Sequence, residues 1–250
     1  MSEVGAEIAA GRARGSFITL EGGEGVGKST QIRHLLRNLR EAGIEAIGTR
    51  EPGGSPGAEI LRKVLLSGGV ARLGPAAEAI LFAAARVDHI DKKIEPALAA
   101  GTFVVCDRFA DSTRAYQGAR GQLDPRFLSA LERVTLGDVR PDLTLILDLP
   151  ATVGLARAAA RRGSGEAPDR FEREDLEFHE NLRAAFLAIA AAEPVRCAVI
   201  DAARAEQDVA HEIFDVILNR LIAPAQAKQE RRGEYDGAQN LGNQSGVRPF

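Results

Sequence analysis

The chain of 250 residues is 45% apolar and carries 32 basic against 35 acidic side chains, a net charge of −3 at pH 7. That length and composition suit one sizeable α/β domain or two small ones, and the near-balance of charge argues against a polybasic nucleic-acid binder. Five of the basic residues are lysine and 27 arginine; compositional bias accounts for the bulk of that excess, and some arginines remain candidates for clamping anions through their planar, permanently charged fork.

Cys106 and Cys197 lie in separate apolar runs, which suggests no disulfide framework and a reducing compartment. Histidines 34, 89, 179 and 211 lack the spacing of metal ligands. No apolar stretch reaches the roughly 18 residues of a membrane span, and the first residues do not read as a signal peptide. A cytoplasmic protein with neither membrane nor nucleic-acid partner is expected. Residues 1–15 are small and polar and are expected to fray. The stretch 223–250, rich in Gln, Gly and Asn, is expected to be disordered. A single domain over 16–222 remains, without internal repeats.

Within it, the apolar runs 17–20, 46–49, 103–106, 143–147 and 197–200 read as five buried strands. Amphipathic stretches 28–42, 57–67, 75–100, 125–136, 151–162, 172–192 and 206–222 separate them, with Gly43 and Gly101 where helices would end. Continuous rather than alternating runs and long crossovers predict an α/β fold of three layers, a five-stranded parallel sheet with helices on both faces. Ligands in such folds bind beyond the carboxyl ends of the strands.

The first strand leads straight into Gly22-Gly23-Glu24-Gly25-Val26-Gly27-Lys28-Ser29-Thr30, a G-x-x-x-x-G-K-S phosphate loop in its proper strand-to-helix setting. Glycines let the backbone wrap a phosphate with its N–H groups, and the following helix adds the positive end of its dipole. Lys28 is placed to reach the β- and γ-phosphates of a nucleotide, and Ser29 to hold Mg²⁺. This loop names the ligand but not the reaction. A hydrolysing switch or ATPase competes with a kinase; the chain has no Asn-Lys-x-Asp guanine-reading motif, and about 207 folded residues leave little room for partner-binding domains.

A kinase needs an acceptor pocket. Arg50 follows the second strand in a Pro- and Gly-containing turn, and Arg62 lies on the next helix. Phe82 and Arg86 share one helical face, suited to stacking a base and bonding its carbonyl, although core packing also accounts for Phe82. Asp107 ends an apolar strand, the expected place for a group organising Mg²⁺, and Arg108 follows it as a phosphate clamp. Ser112 and Tyr116 lie one helical turn apart and are suited to a sugar pocket. Asp148 also ends an apolar strand and competes with Asp107; the Asp107-Arg108 pair, supplying both charges, favours the former.

Five ordered signatures, F-I-T-L-E-G-G-E-G-V-G-K-S-T, T-R-E-P-G-G-S, L-F-A-A-A-R, D-R-F-A-D-S-T-R-A-Y-Q-G and R-P-D-L-T-L-I-L-D, span residues 17–148. With them the chain resembles the bacterial thymidylate kinases, P-loop nucleoside monophosphate kinases that make dTDP from dTMP and ATP. The resemblance implies that Phe82 stacks on thymine and Arg86 bonds its edge. It implies that Arg108 holds the acceptor phosphate, with Arg50, Glu51, Pro52 and Arg62 nearby. Ser112, Thr113 and Gln117 would complete the base and sugar environment, and Tyr116 would crowd the 2′ position. It further implies a homodimer; the apolar face of 75–100 is a reasonable interface, although core packing explains that face equally well. Phe109 departs from the family's usual Tyr or His, losing one polar tip.

Residues 157–173 hold five arginines around a Gly-Ser-Gly-Pro break and read as a lid or as a solvated loop. A lid would exclude water from the transferred phosphoryl group. Family members supply an arginine from either the phosphate loop or the lid. Here the loop carries Glu24, so Arg161 and Arg162 are the first candidates, then Arg157 and Arg170. Glu24 itself would either orient the acceptor through its sugar or repel phosphate until the lid closes. His89 and Asp91 have no assigned role.

Overall fold

The computed structural model describes residues 14–120, 123–162, 171 and 173–223. Residues 1–13, the centre of the expected lid with Arg170, and 224–250 lie outside the described residues, as do the side chains of Gln117 and Arg162.

β1 (Phe17–Glu21) is buried along its whole length, as a central parallel strand covered on both faces must be. Among the described residues, β2 (Ala46–Arg50), β3 (Phe103–Asp107), β4 (Leu143–Asp148) and β5 (Cys197–Asp201) join it in one parallel sheet of order β2-β3-β1-β4-β5. Each strand runs one residue beyond its apolar run and so ends on a charged side chain: Glu21, Arg50, Asp107, Asp148 or Asp201. The carboxyl edge of the sheet is thereby charged where ligands of such folds bind.

The helices are α1 (Lys28–Glu41), α2 (Pro56–Leu66), α3 (Pro75–His89), α4 (Glu95–Ala99), α5 (Ala110–Arg120), α6 (Pro125–Leu136), α7 (Ala151–Arg162), α8 (Leu176–Ala192) and α9 (Glu206–Ile217). They form the two outer layers. Ile18 and Leu20 pack with Leu35 and Leu39 of α1 and Ile213 and Ile217 of α9. Phe17 points to the opposite layer, with Val104, Cys106, Ile90, Ile94 and Phe109, as the period of two along a strand requires. Ile146 packs on Leu182 and Phe186 of α8. No helix among the described residues is long and apolar enough to cross a membrane.

Three helical expectations are corrected. The stretch 75–100 is not one helix: a π turn at Ile90–Ile94 separates α3 from α4, where Pro96 supplies no N–H for the helical ladder. α8 starts at Leu176 rather than 172, because the Asp175 carboxylate accepts from the Phe178 N–H and caps it. α5 lacks an apolar stripe, so periodicity does not mark it as a helix. Its inward face is Ala110, Asp111 and Ala115, all buried, and its polar remainder serves the site below.

Candidate active site

The phosphate loop leaves β1 at Glu21 and enters α1 at Lys28. Gly25 is left-handed (φ 68°), a Cβ on it would strike the Gly154 backbone of α7, and a Cβ on Gly154 would strike the Glu24 carbonyl. Both the curvature of the loop and its seat on α7 therefore require glycine. Lys28 Nζ curls back to donate to the carbonyls of Gly22 (3.1 Å) and Gly23 (2.8 Å). Burial, then the nearby Arg108, pull its pKa down to about 8 against the attraction of Glu24, Asp107 and Glu21.

β3 lies directly beside β1, with Leu20 opposite Asp107. That register brings the Ser29 hydroxyl within 2.9 Å of Asp107 Oδ2, to which it donates. The competing carboxylate is committed elsewhere: Asp148 takes a two-pronged ion pair from Arg183 of α8 at 2.7 and 2.9 Å. Ser29 and Asp107 are hard oxygen donors of the kind Mg²⁺ accepts. Among the described residues no group of three or more His, Cys, Asp or Glu side chains forms a metal cage, so a cation between these two would complete its shell with phosphate oxygens and water.

Arg108 is the one non-glycine residue with positive φ (67°) among those described, a conformation that costs on the order of 1–3 kcal/mol and persists only where neighbours enforce it. The enforcing group is Glu21, fully buried. Its Oε1 accepts from the N–H groups of Phe109 (2.7 Å) and Ser112 (3.2 Å), and its Oε2 from the Ser112 hydroxyl (2.6 Å). Burial, reinforced by Asp111 and opposed by Arg108, raises the Glu21 carboxyl to about 7. Glu21 was not among the expected site residues; an acid closing an otherwise apolar strand was the available signal.

The Arg108 guanidinium so placed donates to Gly22 O (3.0 Å), Ser112 Oγ (3.2 Å) and Glu24 Oε1 (2.7 Å). The Tyr116 hydroxyl donates to the same Glu24 oxygen at 2.8 Å. Burial alone would raise the Glu24 pKa, but Arg108, then Lys28 and the Tyr116 hydroxyl, outweigh it and hold the carboxyl at about 2. Burial likewise works against the Arg108 cation, yet Tyr116 and Glu24 keep its pKa above the ordinary arginine value.

Phe82 is half-buried on the cleft wall rather than absorbed in the core, and Arg86 lies one turn away. Arg86 and Glu51 form a buried ion pair at 2.7 Å, and Arg86 Nη2 also donates to Thr113 Oγ1 and the Phe109 carbonyl. Arg62 Nη1 donates to the Pro52 carbonyl at 2.6 Å, and exposed Arg50 pairs with Glu59 at 3.0 Å. These groups, the phosphate loop from Glu24 to Thr30, Asp107, Arg108, Ser112 and Tyr116 line one cleft of about 250 Å³. Arg161 lines it too, whereas Arg157 turns away to the Ala202 carbonyl at 3.1 Å. Sequence reasoning missed buried Glu78, Leu66 and Phe171 on the cleft wall. Phe171 meets the Tyr116 ring edge-on, with centroids 5.1 Å apart; its place within the arginine-rich segment was the only hint.

A strand-to-helix phosphate loop facing an arginine-lined second pocket across one cleft defines a P-loop phosphotransferase with a place for a second, anionic substrate. Residues 20–213 match the family model for thymidylate kinase. Curated relatives named thymidylate kinase include one from Bradyrhizobium sp. (strain ORS 278), 56% identical over 222 residues, 89% of this chain and 98% of the relative. Another, from Nitrobacter winogradskyi (strain ATCC 25391 / DSM 10237 / CIP 104748 / NCIMB 11846 / Nb-255), is 59% identical over 87% of this chain and 95% of its own. A third, from Rhodopseudomonas palustris (strain TIE-1), is 58% identical over 86% and 93% respectively. The chain belongs to the thymidylate kinase family.

Proposed function

We propose that this family member transfers the γ-phosphoryl group of ATP to dTMP, giving dTDP and ADP. One observation carries the reading: Lys28 of the phosphate loop and Arg108 after β3 both donate to the Gly22 carbonyl and line one cleft, which also holds the Phe82–Arg86 pair. Two anions brought together there need cations on both sides and a surface for a base.

The loop N–H groups and Lys28 bind the ATP phosphates, and Arg108 takes the acceptor phosphate with Arg50 and Arg62 at the rim. Phe82 stacks on the base and Arg86 bonds its edge, while Tyr116 and Ser112 flank the sugar. The acceptor phosphate is already an anion at neutral pH, so no general base is needed; alignment and neutralisation of charge are the task. Ser29 and Asp107 would hold Mg²⁺, which when bound neutralises charge on the phosphate oxygens. Arg161, at the end of α7, would close over the transferred group as part of a lid over about 157–173, keeping water out.

Incubation with ATP and a panel of nucleoside monophosphates tests the reading. dTMP is expected to be the preferred acceptor. Equal or faster turnover of dCMP, dGMP or UMP would overturn the substrate assignment, and ATP hydrolysis indifferent to every monophosphate would overturn transfer itself. Separate Arg161→Ala and Arg162→Ala variants test the lid: loss of turnover only in the second would move the role to Arg162.

The same reading includes a homodimer in a reducing cytoplasm. Ile60 and Val64 of α2 and Ile80 and Val87 of α3 are exposed apolar side chains on adjacent helices, and Cys106 and Cys197 are buried free thiols. Sedimentation at micromolar concentration is expected to give twice the chain mass, and Ile80→Asp with Ile60→Asp to give the monomer.

A further inference from the structure

His89, at the end of α3, is fully buried, where both ring nitrogens need partners. Nε2 lies 2.7 Å from Thr49 Oγ1, and Nδ1 lies 3.1 Å from Glu51 Oε1. A neutral imidazole satisfies both ends: Nδ1–H donates to the carboxylate, and Nε2 accepts the Thr49 hydroxyl proton. The other Glu51 oxygen, Oε2, accepts from Arg86 Nε at 2.7 Å. Arg86 Nη2 is then taken by the Phe109 carbonyl (3.2 Å) and Thr113 Oγ1 (3.0 Å). An unbroken chain, Thr49–His89–Glu51–Arg86–Thr113, therefore crosses from β2 through α3 to α5.

Two features make this chain more than core filling. Every donor direction of the Arg86 guanidinium is fixed by a named acceptor except Nη1, for which no protein partner is found among the described residues, and Arg86 lines the cleft. The His89 ring is also clamped: Gly54 (φ 90°) lies against Nε2 and Thr49 Oγ1 so closely that a Cβ there would collide with both. The ring cannot tilt away from Glu51 without moving the turn after β2.

We propose that His89 is a positioning residue for acceptor recognition: by holding Glu51 it fixes the Arg86 guanidinium so that Nη1 faces the base of the acceptor nucleotide. The inference rests on the reading of Arg86 as a base contact. A hydrogen-bonding site discriminates between base edges only when its donor is held in place. Without the His89 donor, Glu51 is held only by Arg86 itself, and the guanidinium keeps Phe109 and Thr113 at Nη2 but loses its fixed point at Nε. The phosphate-handling groups Lys28, Glu24 and Arg108 share no side-chain hydrogen bond with this chain, so the effect is confined to the base.

The test measures binding of three ligands to the full chain: thymidine, which has the base but no phosphate; 2-deoxyribose 5-phosphate, which has the phosphate but no base; and ATP. In His89→Gln the amide takes the Nε2 position and leaves Glu51 without its donor, so thymidine is expected to bind about tenfold more weakly, the scale of one lost hydrogen bond to a charged group. Deoxyribose 5-phosphate and ATP are expected to bind as to the wild type. His89→Asn, whose amide nitrogen takes the Nδ1 position, is expected to restore most of the thymidine affinity. Thr49→Val, a change at a half-buried strand position, keeps the test alive should both His89 variants fail to fold, and is expected to weaken thymidine alone by a smaller factor.

Unchanged thymidine binding in His89→Gln, or an equal loss for all three ligands, would overturn the inference; so would unchanged thymidine binding in Thr49→Val where that variant carries the test. Arg86→Leu separates the two levels. If it too leaves thymidine binding intact, the base-contact reading of Arg86 falls; if it abolishes binding while His89→Gln leaves the affinity unchanged, only the role of His89 falls.

Discussion

Arg108 Nη2 and Glu24 Oε1 stand 2.7 Å apart, with both side chains only 16% exposed, joining the segment after β3 to the tip of the phosphate loop. The Arg108 guanidinium carbon also lies 5.3 Å from the Tyr116 ring centre, and the Tyr116 hydroxyl closes the triangle on Glu24. The cation proposed to handle the acceptor phosphate is thus oriented by protein groups of opposite charge and by a ring face. Such preorganisation lowers the reorganisation required when charge develops in the transition state.

Arg108→Ala is expected to lower turnover on the order of 10³-fold, the scale on which an arginine stabilises phosphoryl transfer. ATP binding should survive, because Lys28 and the loop N–H groups remain. Steady-state kinetics with dTMP and calorimetry with ATP check this; loss of both would mean that Arg108 serves the donor side.

Lys28 titrates at about 8 in the free site, and its cation is the form that attracts phosphate. ATP affinity should therefore decline as pH rises through about 8, by up to about tenfold per unit. Lys28→Arg, whose guanidinium keeps its proton, should bind ATP less well at neutral pH but with a flat profile. Calorimetry across that range reads the difference; an equal slope in both proteins would assign the titration to another group.

Glu21 carries a raised pKa of about 7, so the folded state holds a proton there that the unfolded chain releases near its ordinary 4.5. Stability from this group is complete below pH 4.5 and declines as pH rises to about 7, by a total on the order of 3 kcal/mol. Glu21→Gln keeps an acceptor for the Phe109 and Ser112 N–H groups without the charge. Urea midpoints should then show this decline in the wild type and not in the variant. A variant markedly less stable than the wild type at pH 8 would show that the Arg108 attraction outweighs the burial.

Asp107→Asn should raise the Mg²⁺ concentration needed for half-maximal activity by about tenfold or more, since changing even a group one shell out from a metal costs that much. Ser29→Ala should act in the same direction. Activity titrated with Mg²⁺ at saturating ATP checks both; an unchanged midpoint in both variants would place the ion elsewhere.

Much of this architecture was legible in the residue order. The five apolar runs mark the five strands to within one residue at their carboxyl ends, because continuous burial leaves a signature that needs no partner to be read. The phosphate loop is equally local: its glycines, Lys28 and Ser29 lie within nine consecutive residues, and the turn they make is a property of those residues. α5 escaped because its inward face is small or charged, Asp111 being buried on Arg196 at 2.6 Å, and such a face has no apolar period.

What the order of residues determined, then, was the strands, the loop that binds phosphate and the set of side chains at the sheet's charged edge. The tertiary structure alone decided between members of that set. Asp107 and Asp148 end strands that both flank β1, and they differ only because Arg183, on α8, neutralises one of them. Arg157 and Arg161 lie one turn apart on α7, yet one is spent on the Ala202 carbonyl and the other faces the cleft. Glu51 and His89 are 38 positions apart, and nothing in either neighbourhood announces the other. Local pattern encodes backbone conformation and burial. Which charge is free to meet a ligand depends on partners delivered by other elements, and those are set only when the layers pack.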